Sequence, residues 1–109
     1  MQRFILALDL KNDEALIAEY ERYHEKIPLE IEKSIRDAGV LREDIYRVGN
    51  RLVMVLETTD AFSLQKKSKM DAENPHVQAW EKLMLQFQQA LPQAKEGEKW
   101  LLMNQIFEL

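Results

Sequence analysis

An α+β chain with a ferredoxin-like βαββαβ order is predicted by three features of the sequence. Compact apolar runs of strand length stand near the start, in the middle and at the end; two stretches between them carry apolar residues at helical spacing; and Gly49-Asn50 separates the two central runs as a hairpin turn does. With 109 residues, one domain spanning 1–109 is expected, long enough to bury a core without disulfides or metal.

The first run, Phe4 to Leu10, places Phe4, Leu6, Leu8 and Leu10 on one face and Ile5, Ala7 and Asp9 on the other. It carries Asp9 and no small-residue cleavage site follows, so it reads as a strand and not as a signal peptide. Asn12 or Asp13 is the expected cap of a helix from about Glu14 toward Lys26, with Leu16, Ile17, Tyr20, His24 and Ile27 as its inward stripe. Pro28 interrupts it. A second piece, Leu29 to Ala38, continues the period with Leu29, Ile31 and Ile35 and stops at Gly39.

Ile45 to Val48 and Leu52 to Leu56 flank the Gly49-Asn50 turn, both of whose residues tolerate positive φ. Thr59 or Asp60 is the expected cap of a short helix reaching Met70. Asn74-Pro75 opens a longer one, whose stripe runs Val77, Trp80, Leu83, Met84, Phe87, Leu91. Pro92 to Lys99 is polar and reads as a loop, and Trp100 to Phe107 as the last strand. Three strands are apolar on both faces, whereas helices in this arrangement cover one. A second copy packed on the other sheet face is the expected cover, so a homodimer is predicted; a deep pocket between sheet and helices is the other use of such a face.

Composition excludes several classes of function. The formal net charge is −4, and the densest basic run, Lys66-Lys67-Ser68-Lys69, is followed by Asp71 and Glu73, so no nucleic-acid partner is expected. No apolar run reaches the roughly 18 residues of a membrane helix, and no membrane partner is expected. The absence of cysteine removes thiolate chemistry and fits a reducing cytoplasm. Two histidines far apart, without metal-ligand spacing, predict no metal, and three scattered glycines form no phosphate cradle. No serine sits in a nucleophile-elbow motif.

Chemistry is left to a few residues. Histidine alone has an unperturbed pKa, about 6.5, suited to giving and taking protons near neutrality. Tyr20 and His24 stand at i, i+4 on one helix face, where phenol and imidazole can hold and protonate a sugar oxygen, or form a hydrogen-bonded core pair. His76 falls in an exposed first turn. Of the neighbours Glu43 and Asp44, only one can face a pocket. Trp80 is either core or a platform for the C–H face of a sugar, with Glu81 beside it as a hydroxyl acceptor.

The stretch Glu19-Tyr20-Glu21-Arg22-Tyr23-His24, Pro28, Ile45-Tyr46 leading to a strand ending at Glu57, Val77-Gln78-Ala79-Trp80-Glu81-Lys82-Leu83-Met84, and the terminal Glu108-Leu109 together resemble the L-rhamnose mutarotase family over nearly the whole chain. The resemblance implies a dimeric α+β barrel that interconverts the anomers of a 6-deoxy sugar without a cofactor. It implies that His24 is the proton donor, Tyr20 a sugar-binding tyrosine, and Trp80 the first of two tryptophans lining the sugar. Where relatives carry the second tryptophan this chain has Glu81, and where they carry a tyrosine shortly before the Ile-Tyr pair it has Glu43. Carboxylates accept paired hydroxyl bonds, so L-fucose stands beside L-rhamnose as a candidate. Tyr20, Glu43 and Glu81 all remain open as the second proton-transfer group. Other cofactor-free enzymes of the same architecture, of oxygenase or lactone-isomerase type, and a non-catalytic ligand-binding dimer are the alternatives, since fold does not decide chemistry.

Overall fold

A computed structural model describes all of residues 1–109. Its elements are β1 (Gln2–Leu10), α1 (Glu14–Glu25), α2 (Leu29–Asp37), β2 (Val40–Val48), β3 (Arg51–Thr58), α3 (Leu64–Ala72), α4 (Pro75–Leu85), β4 (Gln88–Gln89) and β5 (Leu101–Leu102). All strand pairs are antiparallel, in the order β2-β3-β1-β4, and β5 also pairs with β1. This is the predicted ferredoxin-like order, with the fourth strand delivered in two short pieces along one edge of β1.

Local chemistry explains most boundaries. Asp13 caps α1 by accepting from the Leu16 N–H at 3.0 Å, an interaction worth about 1 kcal/mol. Pro28 separates α1 from α2. In α2 the buried anchor is Ile31, while Leu29, expected on the inward stripe, is 77% exposed at the first position of the helix. Gly39 follows with φ +104°, and a Cβ there would stand 2.8 Å from Thr59 Oγ1. In the hairpin only Gly49 has positive φ (+58°). Positive φ at the first central position alone matches a II′ turn, so the tolerance of Asn50 for positive φ is not used. Asn50 instead donates its amide to the Leu10 carbonyl at 2.9 Å.

Several boundaries differ from those read in the sequence, among them the start of β2, which lies at Val40 and not at Ile45. The cap of α3 is Ser63, which accepts from the Lys66 N–H at 3.1 Å, and neither Thr59 nor Asp60 serves. Those two residues belong to a loop pinned to the sheet: Thr59 N–H donates to Gly39 at 2.9 Å, and the Gln2 amide donates to the Thr59 and Phe62 carbonyls at 3.0 and 2.9 Å. The long helix ends at Leu85, not near Leu91. Its stripe is sound through Met84, but Phe87 is buried from outside the helix, and Gln88-Gln89 pair with Asp9 and Leu10 of β1. The last strand is confined to Leu101–Leu102, continued by one bond from Met103 N–H to the Ile5 carbonyl at 2.7 Å. Beyond it the chain leaves the sheet, and Ile106, Phe107 and Leu109 are exposed.

The helices cover one face of the sheet. Leu10, Leu52, Tyr20, Met84 and Phe87 form one buried cluster, and Leu6, Val40, Leu56 and Phe62 another. Trp100 packs against both. Burying such side chains contributes about 1.5–3 kcal/mol each. The opposite face has Ile5, Ala7, Val53, Val55 and Tyr46 at its centre. Ion pairs flank them: Arg3–Glu57 at 3.0 Å on one side and a forked Arg51–Asp9 pair at 2.8 and 3.1 Å on the other. No helix is long and apolar enough to cross a membrane.

Candidate functional site

The site begins with an irregularity in β2. Val40 pairs with Thr58 and Arg42 with Glu57, so Leu41 is an extra, exposed residue, and from there Glu43, Ile45 and Arg47 lie opposite Leu56, Met54 and Leu52. A one-residue shift exchanges the faces of a strand. Without the bulge, Asp44 would face the helices; with it, Glu43 does. The structure thereby selects between the two neighbouring carboxylates.

Glu43 lines a cavity of about 240 Å³ between the sheet and the helices. Trp80 and Glu81 of α4, Gln88 of β4 and Trp100 from the loop before β5 line it as well. From α3 come Lys67 and Asp71, one helical turn apart and joined at 2.6 Å with both side chains largely shielded. Asp71 is thus committed to Lys67. Glu43 makes no hydrogen bond or ion pair. Burial raises its pKa above the ordinary carboxylate value; the Lys67 charge opposes this, and Asp71 and Asp44 add to it.

Tyr20 and His24 meet on α1 as their spacing predicts, with ring centroids 4.3 Å apart. Tyr20 is buried and His24 half-buried. His24 Nδ1 lies 2.8 Å from the Tyr20 carbonyl oxygen. A carbonyl only accepts, so Nδ1 carries the hydrogen and Nε2 is left to exchange protons. Together with Ile45 and Tyr46, the pair lines a second concavity, of about 370 Å³.

The two concavities are neighbours. Glu43 of the first and Ile45 of the second are two residues apart on one face of β2, roughly 7 Å. Tyr20 lines the second and Trp80 the first, and the His24 and Trp80 rings are 5.6 Å apart. Burial pushes the Tyr20 pKa up to about 12; the nearby Gln88 side chain opposes the shift and the Glu43 charge reinforces it. Tyr20 therefore stays a neutral phenol, a donor and acceptor of hydrogen bonds and a poor acid.

Of the five residues read from the sequence, Glu43, Trp80 and Glu81 share one cavity, and Tyr20 and His24 adjoin it. Tyr23, packed edge-on to Trp80 at 6.3 Å, was not foreseen. Nor were Gln88, Trp100, Lys67 and Asp71. For Lys67-Asp71 the i, i+4 spacing was a visible signal; Gln88 looked like one more polar helix position. His76 is exposed. No three or more His, Cys, Asp or Glu side chains gather as a metal cluster.

These features define a class: a ferredoxin-like α+β protein with a small site of aromatic rings, one imidazole and uncommitted carboxylates, equipped for proton transfer on a compact polar molecule. Compared with known proteins, residues 3–109 match the model of the L-rhamnose mutarotase family, and the chain belongs to that family, whose members are isomerases acting on carbohydrates. An L-fucose mutarotase of Xanthomonas campestris pv. campestris is 43% identical over 111 residues, covering 100% of this chain and 89% of the relative. A Dictyostelium discoideum protein is 32% identical, with 94% and 86% covered. Among solved structures, an L-rhamnose mutarotase from Formosa agariphila superposes with a TM-score of 0.74 at 17% identity, covering 100% of this chain and 99% of that one. The tetracenomycin F2 cyclase of Streptomyces glaucescens, a polyketide cyclase, reaches 0.63 at 16% identity, covering 100% and 99%. Such different chemistries on one scaffold show the fold alone.

Proposed function

We propose that the chain interconverts the α and β anomers of a 6-deoxy hexose, L-fucose before L-rhamnose, with His24 and Glu43 as the two proton-transfer groups. The observation that carries this reading is a half-buried imidazole with a free Nε2 beside a cavity that holds an unpaired carboxyl. Mutarotation needs a proton delivered to the ring oxygen and another removed from the anomeric hydroxyl. His24 Nε2–H donates to the ring oxygen while the Glu43 carboxylate takes the anomeric proton. The bond from the anomeric carbon to the ring oxygen breaks with its electron pair leaving on that oxygen, and the anomeric carbon becomes an aldehyde. Rotation of the aldehyde and the reverse transfers close the other anomer, with no net change in protons.

The other candidates for the second proton are less suited. Tyr20 resists ionisation, Asp71 is paired, and Glu81 is shared with a neighbouring concavity that Gly97 and Lys99 also line. Trp80 supplies a face for the sugar's C–H surface, and Tyr20 and Glu81 bind its hydroxyls. Two features support L-fucose: the 43% identical relative carries that name, and two carboxylates stand where the resemblance expects aromatic rings. Acid–base assistance of this kind contributes about 10² to 10⁴-fold, ample for a reaction that already proceeds in water.

A homodimer, formed through the open sheet face, is part of the proposal. It is supported by the apolar centre of that face and by exposed Ile106 and Phe107 at the end of the chain. A reducing cytoplasm fits the lack of cysteine. Saturation-transfer NMR on L-fucose and L-rhamnose, with and without protein, tests the activity: faster anomer exchange is expected, and no acceleration of either sugar sinks it. Sedimentation tests the assembly, a monomer at working concentration contradicting the dimer.

A further inference from the structure

Gln88 has a property that no other side chain here shares. Its Oε1 is buried and has no hydrogen-bond partner. Buried polar groups are nearly always paired, and an unpaired one calls for a cause. β4 sets Gln88 opposite Leu10, which directs its side chain to the helix-covered face of the sheet. There it lines the cavity of Glu43, Trp80 and Glu81. Gln88 thus brings to the site an amide whose carbonyl oxygen no group of the protein satisfies.

We propose that Gln88 is a specificity residue: its Oε1 accepts a hydrogen bond from one ring hydroxyl of the bound sugar. A carbonyl oxygen only accepts, so the position takes a hydroxyl and discriminates against a C–H. Unlike Glu43 or Glu81 it does so without charge, at every pH at which the enzyme works. A site built around such an acceptor rejects analogues that lack the matching hydroxyl, because the oxygen is then left unpaired. The inference rests on the mutarotase reading above.

The experiment compares wild type with Gln88→Met, similar in length but without the acceptor, on the preferred sugar and on its 2-, 3- and 4-deoxy analogues, by NMR anomer exchange. Wild type is expected to lose about tenfold or more in kcat/KM on one analogue. Gln88→Met is expected to lose about as much on the parent sugar, mainly through KM, and little further on that analogue. Gln88→Leu serves as a second variant, with near-ultraviolet circular dichroism confirming the fold of both. Equal additional losses on every sugar, or none on any, would overturn the role of Gln88 while leaving the mutarotase standing. A wild type that accelerates no sugar would remove the reading beneath it as well.

Discussion

Replacing His24 by alanine separates its proposed chemical role from its structural one, because stability and rate are read by independent measurements. The structural loss is the Nδ1 bond to the Tyr20 carbonyl at 2.8 Å, about 1 kcal/mol. Ring contacts with Tyr20 and Trp80, at 4.3 and 5.6 Å, add about 0.5–1.5 kcal/mol each. Alanine returns about 0.5 kcal/mol through helix propensity. The net cost is about 1.5–3.5 kcal/mol. At about 2.1 cal/mol/K per residue over 109 residues, the unfolding entropy is about 0.23 kcal/mol/K and Tm falls by about 7–15 °C. From a total stability of about 5–15 kcal/mol, the variant remains almost fully folded at 25 °C. The catalytic loss, about 10² to 10⁴-fold, equals about 3–5 kcal/mol in the barrier and cannot arise from unfolding. A thermal melt and saturation-transfer NMR on one preparation give both numbers. Free imidazole is expected to restore part of the rate. A folded variant with wild-type exchange refutes the assignment of His24.

Other outcomes follow from the same structure. Glu43→Gln should lose about 10² to 10⁴-fold in rate while raising Tm at pH 7. Because the folded-state pKa of Glu43 is raised, stability is lost as the pH climbs from the ordinary carboxylate pKa of about 4.3 to the raised value, and the gain should vanish below about 4.3; a Tm gain that persists at low pH contradicts this. Wild-type rate should also fall with decreasing pH at a point above the ordinary carboxylate range, and Glu43→Asp should keep an acid limb that Glu43→Gln lacks. Tyr20, raised to about 12, supports the fold fully below pH 10 and less as the pH climbs through 12, an alkaline loss of about 3 kcal/mol; denaturant titrations of Tyr20→Phe should show a shallower decline. Gly39→Ala must hold φ near +104° and meet Thr59 Oγ1 at 2.8 Å, so a loss of about 2 kcal/mol and about 10 °C in Tm is expected; an unchanged melt would mean the loop yields freely.

The helical site residues were legible because their spacing is local. Tyr20 and His24 must share a face of any helix that contains both, and Trp80 had to lie on the stripe of α4. Gln88 was illegible for the opposite reason. Gln86 to Leu91 continue the apolar period of the preceding helix through Phe87 and Leu91, and only pairing with β1 converts that stretch into an edge strand. The C-terminal strand failed similarly. Its apolar composition holds to Phe107, but only Leu101 and Leu102 find a partner strand within one chain.

Element order, the meeting of Tyr20 and His24 on one helix face, the absence of thiol chemistry and family membership were all decided by residue type and short-range spacing, which survive in a linear reading. The choice of Glu43 over Asp44 was not. It depends on the extra residue at Leu41, a shift visible only against the register of β3. Burial then removed Tyr20 as a second acid–base group and left Glu43 unpaired in the cavity. Pairing and desolvation are properties of what surrounds a side chain in space, and residues distant in sequence supply those surroundings.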